Sequence, residues 1–239
     1  MSRVEEAFQL LGKNKAENQP RNRIRLNRLM LHVMSAGSDV LGYAGLKCYT
    51  TGPAGARFYF LLFDSGKGKL KAMMQADNLG QIRTGAATAV ATRHLARPEA
   101  TRVGIYGSGW QARSQIEALV ASRTVSQVTV WSRDAERREK FCEEMEEAAG
   151  VSMRAATRPE QVAAESEILV TATNSKEPVL LGAWLAPGHH VNAVGSNSLT
   201  RREIDEDAVT RADVIPADSV EGAKVECGDL YEVVNAGKL

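Results

Sequence analysis

Hydrophobic and polar positions along this chain follow two rhythms, and the change falls near residue 100. Before it the pattern is mixed. Residues 3–12 place Val4, Phe8 and Leu11 on one helical face, with Gly12 at the end. Residues 24–34 alternate loosely, as a strand with one wet side would. The runs 57–64 and 69–75 flank Ser65-Gly66-Lys67-Gly68, which predicts a hairpin. Ile82, Ala86, Val90 and Leu95 recur at helical spacing in an alanine- and threonine-rich run that Pro98 stops. Beyond Pro98 short apolar strands alternate with helices. Strands are expected at 101–107, 127–132, 151–156, 167–173, 190–195 and 212–218, and helices at 111–123, 134–149 and 158–165. Such alternation requires parallel pairing through right-handed crossovers, so the fold class is α/β with a doubly wound parallel sheet and a smaller α+β domain ahead of it.

At 239 residues the chain holds roughly one and a half average domains, enough for two small ones. Lys plus Arg is 30 and Asp plus Glu 29, a net charge of +1, which gives no broad electrostatic footprint for nucleic acid or an acidic membrane. Three scattered cysteines and four histidines show no metal-ligand spacing, so no metal is expected. Apolar runs stay well short of the ~20 residues that span a bilayer, and the acidic start does not read as a secretory signal. The expectation is a soluble cytoplasmic protein.

Gly107-Ser108-Gly109-Trp110-Gln111-Ala112 reads G-x-G-x-x-A between a predicted strand and a predicted helix. The first glycine permits a tight turn and the second lets a pyrophosphate approach the backbone. The small Ala112 allows close helix packing, and the helix N-terminus offers free N–H groups. A plain packing turn would use the same residues, but the strand, the helix and the second strand about 20 residues on favour a dinucleotide. That second strand ends in Ser132-Arg133, a hydroxyl and a guanidinium suited to a 2′-phosphate, which favours NADP(H) over NAD(H). Alternatively Ser132 caps the charged helix and Arg133 is solvated; Asp134 keeps NAD open.

Three cations stand out in the first hundred residues. Arg21 follows Pro20, Lys47 interrupts an apolar strand-like run, and Arg83 opens the alanine-rich helix. A lone ammonium in an apolar run needs an anion. A structural carboxylate would serve, and so would the carboxylate of a substrate held bidentately by Arg with Lys as a point charge.

The segments 19–24 (QPRNRI), 42–49 (GYAGLKCY), 81–98 (QIRTGAATAVATRHLARP), 103–113 (VGIYGSGWQAR), 128–141, 171–180 and 186–198 together resemble the ornithine cyclodeaminase/μ-crystallin family in order and spacing, over nearly the whole chain. The resemblance implies a Rossmann domain over 98–218 and a substrate-binding, dimer-forming domain over 1–97, with 219–239 beginning the return to it. It also implies that the chain is truncated at both ends, leaving the first domain incomplete and a homodimer dependent on the missing parts. Carried over by motif, Arg21, Lys47 and Arg83 hold the substrate carboxylate. Thr84 and Gly107, Ser108, Gly109, Trp110, Gln111 and Ala112 hold cofactor phosphates. Thr171, Ala172, Thr173, Val194 and Gly195 approach the nicotinamide. The implied partner is a small amino or imino acid.

Two departures from the family pattern bear on the reaction. Cyclodeaminases of the family carry an aspartate where this sequence has Asn197, and an amide is no general base near neutral pH. They carry an acidic residue where this sequence has His32, which titrates near neutrality and is suited to protonating an imine nitrogen, unless local hydrogen bonds on a half-buried strand merely satisfy it. With Lys47, His32 and Asn197 as the candidate catalytic set, the departures favour an imine reductase or amino-acid dehydrogenase working by direct hydride transfer. An ornithine-cyclising ammonia-lyase and a non-catalytic NADP-binding protein are the alternatives.

Overall fold

The computed structural model describes residues 1–238, which divide into two compact units, Met1–Arg83 and Thr84 onward. The first unit opens with helix α1 (Ser2–Gly12) and continues as strands β1 (Glu17–Asn18), β2 (Asn22–Arg25), β3 (Met30–Ser38), β4 (Tyr43–Gly52), β5 (Gly55–Asp64) and β6 (Leu70–Gln75). They form one antiparallel sheet in the order β1-β3-β4-β5-β6, with β2 also pairing along β3. Glycines at positive φ make its tight turns: Gly42 (φ +76) closes β3 to β4, and Gly55 (φ +93) opens β5. The expected hairpin over 57–75 is present as β5 and β6. The expected single strand over 24–34 is instead two strands, because Leu26 N–H bonds back to Leu29 O at 2.8 Å and turns the chain without glycine or proline.

Helix α2 (Asp77–Leu95) begins five residues before the expected start, and the division between the units falls within it rather than at Pro98. Arg83 therefore lies in the second turn of α2 and does not open it.

The second unit runs β7 (Arg102–Tyr106), α3 (Trp110–Ser122), β8 (Gln127–Trp131), α4 (Ala135–Ala149), β9 (Ser152–Ala155), α5 (Pro159–Glu165), β10 (Ile168–Thr171), β11 (His190–Ala193), then α6 (Glu206–Thr210), α7 (Val220–Glu226) and α8 (Gly228–Asn235). The five strands are all parallel in the order β11-β10-β7-β8-β9, the doubly wound arrangement expected. Alternate residues feed two cores. Val103, Ile105, Val128, Val130, Ile168 and Val170 meet Ile116, Leu119, Phe141 and Met145 on one side of the sheet. Tyr106 and Leu169 meet Val162, Leu180, Ile204, Val209 and Val233 on the other. The strand expected at 212–218 is absent: Pro216 has no N–H for a ladder, and Val214 is exposed without a pairing partner. Residues 219–238 belong to this second unit, where α8 contributes the buried Asp229 and Val233.

No helix among the described residues is long and apolar enough to cross a membrane.

Candidate active site

In the first unit, strand pairing brings several chemically active side chains to one face of the sheet. Arg23 on β2 lies opposite His32 on β3, which lies opposite Tyr49 on β4, which lies opposite Phe58 on β5. Because side chains alternate along a strand, Lys47, Tyr49 and Thr51 share that face. The rings form a stack: His32 lies on Tyr49 with centroids 4.2 Å apart and planes 1° apart, and Phe58 lies on the other side at 4.5 Å and 20°. Two cations flank the stack, the Lys47 Nζ 5.5 Å and the Arg21 Cζ 5.9 Å from the Tyr49 ring centroid. Gly45 lies on the same face, where a Cβ would strike the ring of Phe60.

His32 is 7% exposed. Its Nε2 shares a hydrogen bond with Thr51 Oγ1 at 3.0 Å, and its Nδ1 is buried with no hydrogen-bond partner. Burial first, then the positive charges of Arg21, Arg23 and Lys47, push the imidazole down to about 4. The expectation that it titrates near neutrality is therefore corrected: at neutral pH His32 is a neutral ring with one nitrogen in reserve. Arg21, His32 and Lys47 are brought together around Tyr49. Arg83 lies on an exposed face of α2, and its share in the clamp stays an expectation.

In the second unit, the turn after β7 is a tight glycine turn that leads directly into α3. Gly107 has φ +116, and a Cβ on it would lie 2.5 Å from the Ala172 carbonyl oxygen, so only glycine fits. Its N–H bonds Trp131 O at 2.8 Å, tying the turn to the end of β8. Gly109 is the N-cap of α3, offers no side chain to cap it, and has open space where a Cβ would stand. Ala112 is fully buried. Gly85, after Thr84 on α2, is a second close approach, since a Cβ there would collide with Ser114 of α3. The motif's Ser108 donates to Ser132 Oγ at 3.0 Å.

At the end of β8 the polar side chains differ in their partners. Asp134, not Ser132, caps α4, accepting from Arg137 N–H at 3.0 Å. The alternative that Ser132 caps the helix is thereby corrected. Arg133 is exposed and has no ion-pair or hydrogen-bonding partner among the described residues. The buried Arg138 reaches back from α4 to donate to Ser132 O at 2.6 Å, fixing this end of the strand.

Thr171, Ala172, Thr173, Val194 and Gly195 cluster at the carboxyl ends of β10 and β11. Val194 N–H bonds Thr171 O at 2.9 Å. Glu203 binds this cluster from below, accepting from the Thr171 hydroxyl and from the N–H groups of Thr173 and Gly195. Burial raises the Glu203 carboxyl above its usual range against the pull of these donors. Asn197 lies in the exposed loop beyond, its N–H bonded to Gly195 O at 3.0 Å. Tyr49, Thr51, Arg138 and Glu203 escaped the sequence reading. Aromatic and hydroxyl residues on a strand read as ordinary packing, and charged residues read as surface. Among the described residues no group of His, Cys, Asp and Glu could hold a metal ion.

Comparison with known proteins gives a consistent result. The model of the ornithine cyclodeaminase/mu-crystallin family matches residues 1–235. An uncharacterized cyclodeaminase of Sinorhizobium fredii is 36% identical over 181 residues, covering 75% of this chain and 54% of that protein. The alanine dehydrogenase of Archaeoglobus fulgidus is 31% identical across 100% of this chain and 74% of its own length. The solved Δ1-pyrroline-2-carboxylate reductase of Thermococcus litoralis, in complex with NADH and L-proline, superposes with a TM-score of 0.92 at 30% identity, covering 99% of this chain and 76% of that one. This chain thus spans about half the length of the first relative and about three quarters of the other two.

Proposed function

This chain belongs to the ornithine cyclodeaminase/mu-crystallin family, and from that premise we propose that it is a nicotinamide-dependent oxidoreductase. It reduces a cyclic or open 2-imino acid such as Δ1-pyrroline-2-carboxylate, or oxidises a small L-amino acid in the reverse direction. The observation that carries this reading is the cationic sheet face, where Arg21 and Lys47 flank the stacked His32 and Tyr49.

On this reading Arg21 and Lys47, joined by Arg83, grip the substrate carboxylate, the guanidinium bidentately and the ammonium as a point charge. Burial first and the cations second hold His32 neutral; the anion offsets the cations' share and raises the imidazole from about 4, favouring its exchange of a proton with the imine nitrogen. A water held by Asn197 is the other proton source. The cofactor, when bound, supplies the hydride. The backbone of Gly107–Ala112 and the α3 N-terminus hold its pyrophosphate, with Thr84, and Thr171–Thr173, Val194 and Gly195 hold its nicotinamide half. NADP(H) is favoured over NAD(H), because Asp134 is engaged as a helix cap while Arg133 is left available to a 2′-phosphate. A homodimer is supported by the opposite face of the first sheet, where Ile24, Tyr59 and Met73 are exposed.

The test is to mix the purified chain with NADPH or NADH and Δ1-pyrroline-2-carboxylate and follow loss of the reduced-nicotinamide absorbance. Turnover supports the reductase. Ammonia and proline formed from ornithine with catalytic NAD+ would replace it by the lyase, and cofactor binding with neither activity would leave a non-catalytic binding protein.

A further inference from the structure

Glu203 is sealed inside the second unit, with 0% exposure. Its Oε2 accepts from the Thr171 hydroxyl at 2.9 Å and from the Gly195 N–H, and its Oε1 accepts from the Thr173 N–H. One carboxyl thus gathers three donors from the two segments that end β10 and β11. Gly195 is required there, because a Cβ would collide with the Glu203 carboxylate and with Thr173 O. A second buried carboxylate supports the first: Asp229 Oδ1 accepts from the N–H groups of Glu203 (2.7 Å) and Ile204 (3.2 Å), and Asp229 N–H donates to Ser196 Oγ at 3.2 Å.

The chemistry of the donors demands a carboxylate. An ionised carboxylate is acceptor-only and satisfies every donor aimed at it, whereas an amide would turn an NH2 group against at least one of the two backbone N–H groups. A buried charge is costly unless its hydrogen bonds are complete, so its retention here calls for a reason beyond loop closure. The place supplies one. In the strand order found, β10 and β7 flank the point where the winding of the sheet reverses, and ligands of such sheets bind outside the carboxyl ends of these strands.

We infer that Glu203 is a positioning residue that sets the backbone at Thr171–Thr173 and Gly195 for the nicotinamide half of the cofactor, with Asp229 fixing Glu203 in turn. The inference rests on the cofactor reading above, and the experiment separates the two. NADPH and adenosine 2′,5′-bisphosphate, which carries the adenosine half without nicotinamide, are titrated into the wild-type chain and into Glu203→Gln, with circular dichroism as the folding control. Glu203→Gln should weaken NADPH roughly tenfold or more, the scale of a lost buried charge-assisted hydrogen bond, and leave the bisphosphate within about twofold. Equal weakening of both ligands, or of neither, would overturn the positioning role while leaving cofactor binding intact. A wild-type chain that binds neither ligand, nor NADH, would bring down the cofactor reading and this inference with it; one that binds NADH alone is titrated with NADH and adenosine 5′-monophosphate instead, with the same outcomes deciding. If Glu203→Gln does not fold, amide hydrogen exchange on the wild-type chain decides. NADPH should slow exchange at Thr173 and Gly195 and the bisphosphate should not; equal protection by the two would overturn the role.

Discussion

Replacing His32 by Phe should abolish one specific part of the acid sensitivity of this protein. The phenyl ring preserves the stack on Tyr49 (4.2 Å in the native chain) and removes the titrating nitrogens, together with the Nε2 bond to Thr51. His32 is pushed down to about 4 in the folded chain, against an ordinary value of 6.5 once unfolded. Between those two values the unfolded chain binds a proton that the folded chain does not. Stability therefore rises with pH across that window, is complete above about 6.5, and is lost as pH falls toward 4. At about 1.4 kcal/mol per pH unit, wild type should lose up to roughly 2.5 kcal/mol relative to His32→Phe between pH 7 and 4.5. His190 is also held low by burial and adds to the acid loss, while Glu203 and Asp229, held high by burial, work in the opposite sense. Those contributions are common to both proteins and cancel in the difference. The assay is urea unfolding of each at both pH values, followed by circular dichroism. At pH 7 the variant should be the less stable of the two for want of the Thr51 bond, and by pH 4.5 the gap should close or reverse. A gap that stays constant would show that His32 is not held neutral by burial and its cationic neighbours, and the electrostatic account of this face would fail.

Further outcomes follow from the same geometry. Lys47→Ala should lower kcat/KM with an imino-acid substrate by roughly two to three orders of magnitude, with NADPH affinity unchanged within about twofold in a fluorescence titration. A collapse of NADPH binding would make Lys47 structural. Arg133→Ala should weaken NADPH about ten- to a hundredfold and NADH hardly at all, as one lost charge-assisted contact to a 2′-phosphate requires; equal effects on both would remove the basis for preferring NADP(H). Gly107→Ala should cost about 2 kcal/mol or more in thermal or urea unfolding, because φ +116 and the 2.5 Å approach to Ala172 O admit no side chain. A near-native midpoint would show that the turn relaxes freely.

The parts of the fold visible in the sequence are those where local rules and tertiary structure agree. Gly107 through Ala112 announces itself because each small residue answers a backbone constraint, and the strands beside it are short, apolar and bounded by helices. The turn between β2 and β3 was hidden because Leu26-Asn27-Arg28-Leu29 has no glycine or proline, and the lone Asn27 is too weak a turn signal inside an apolar-polar alternation. The apolar run 212–218 promised a strand, but strand formation needs a neighbour, and neither composition nor periodicity shows where a sheet ends. His32 could be singled out through the family resemblance, yet its protonation could not. That depends first on its burial and then on Arg21 and Lys47, 11 and 15 positions away, being folded onto one face by antiparallel pairing. Glu203 was invisible for a related reason: Arg201-Arg202-Glu203 reads as a solvated charge run until the donors at Thr171, Thr173 and Gly195 are seen to converge on it.

On the proposed reading the two units hold negative charge by different physics, and this explains why one site was legible and the other only half so. In the second unit the donors are backbone N–H groups at a helix N-terminus, and their direction follows from φ and ψ. Sequence constrains such a site through what must be absent: a side chain at Gly107, or bulk at Ala112. In the first unit the donors are long side chains whose placement depends on strand register, where a slip of one residue would send Lys47 to the opposite face. Register there is fixed by the Tyr49 stack with His32 and Phe58 and by the glycine turns at Gly42 and Gly55. The aromatic stack therefore has a consequence beyond packing. It sets the parity that puts Arg21, Arg23 and Lys47 beside a histidine that burial first and these cations second keep neutral, so the charge chemistry of this face depends on the same contacts that hold the sheet in register.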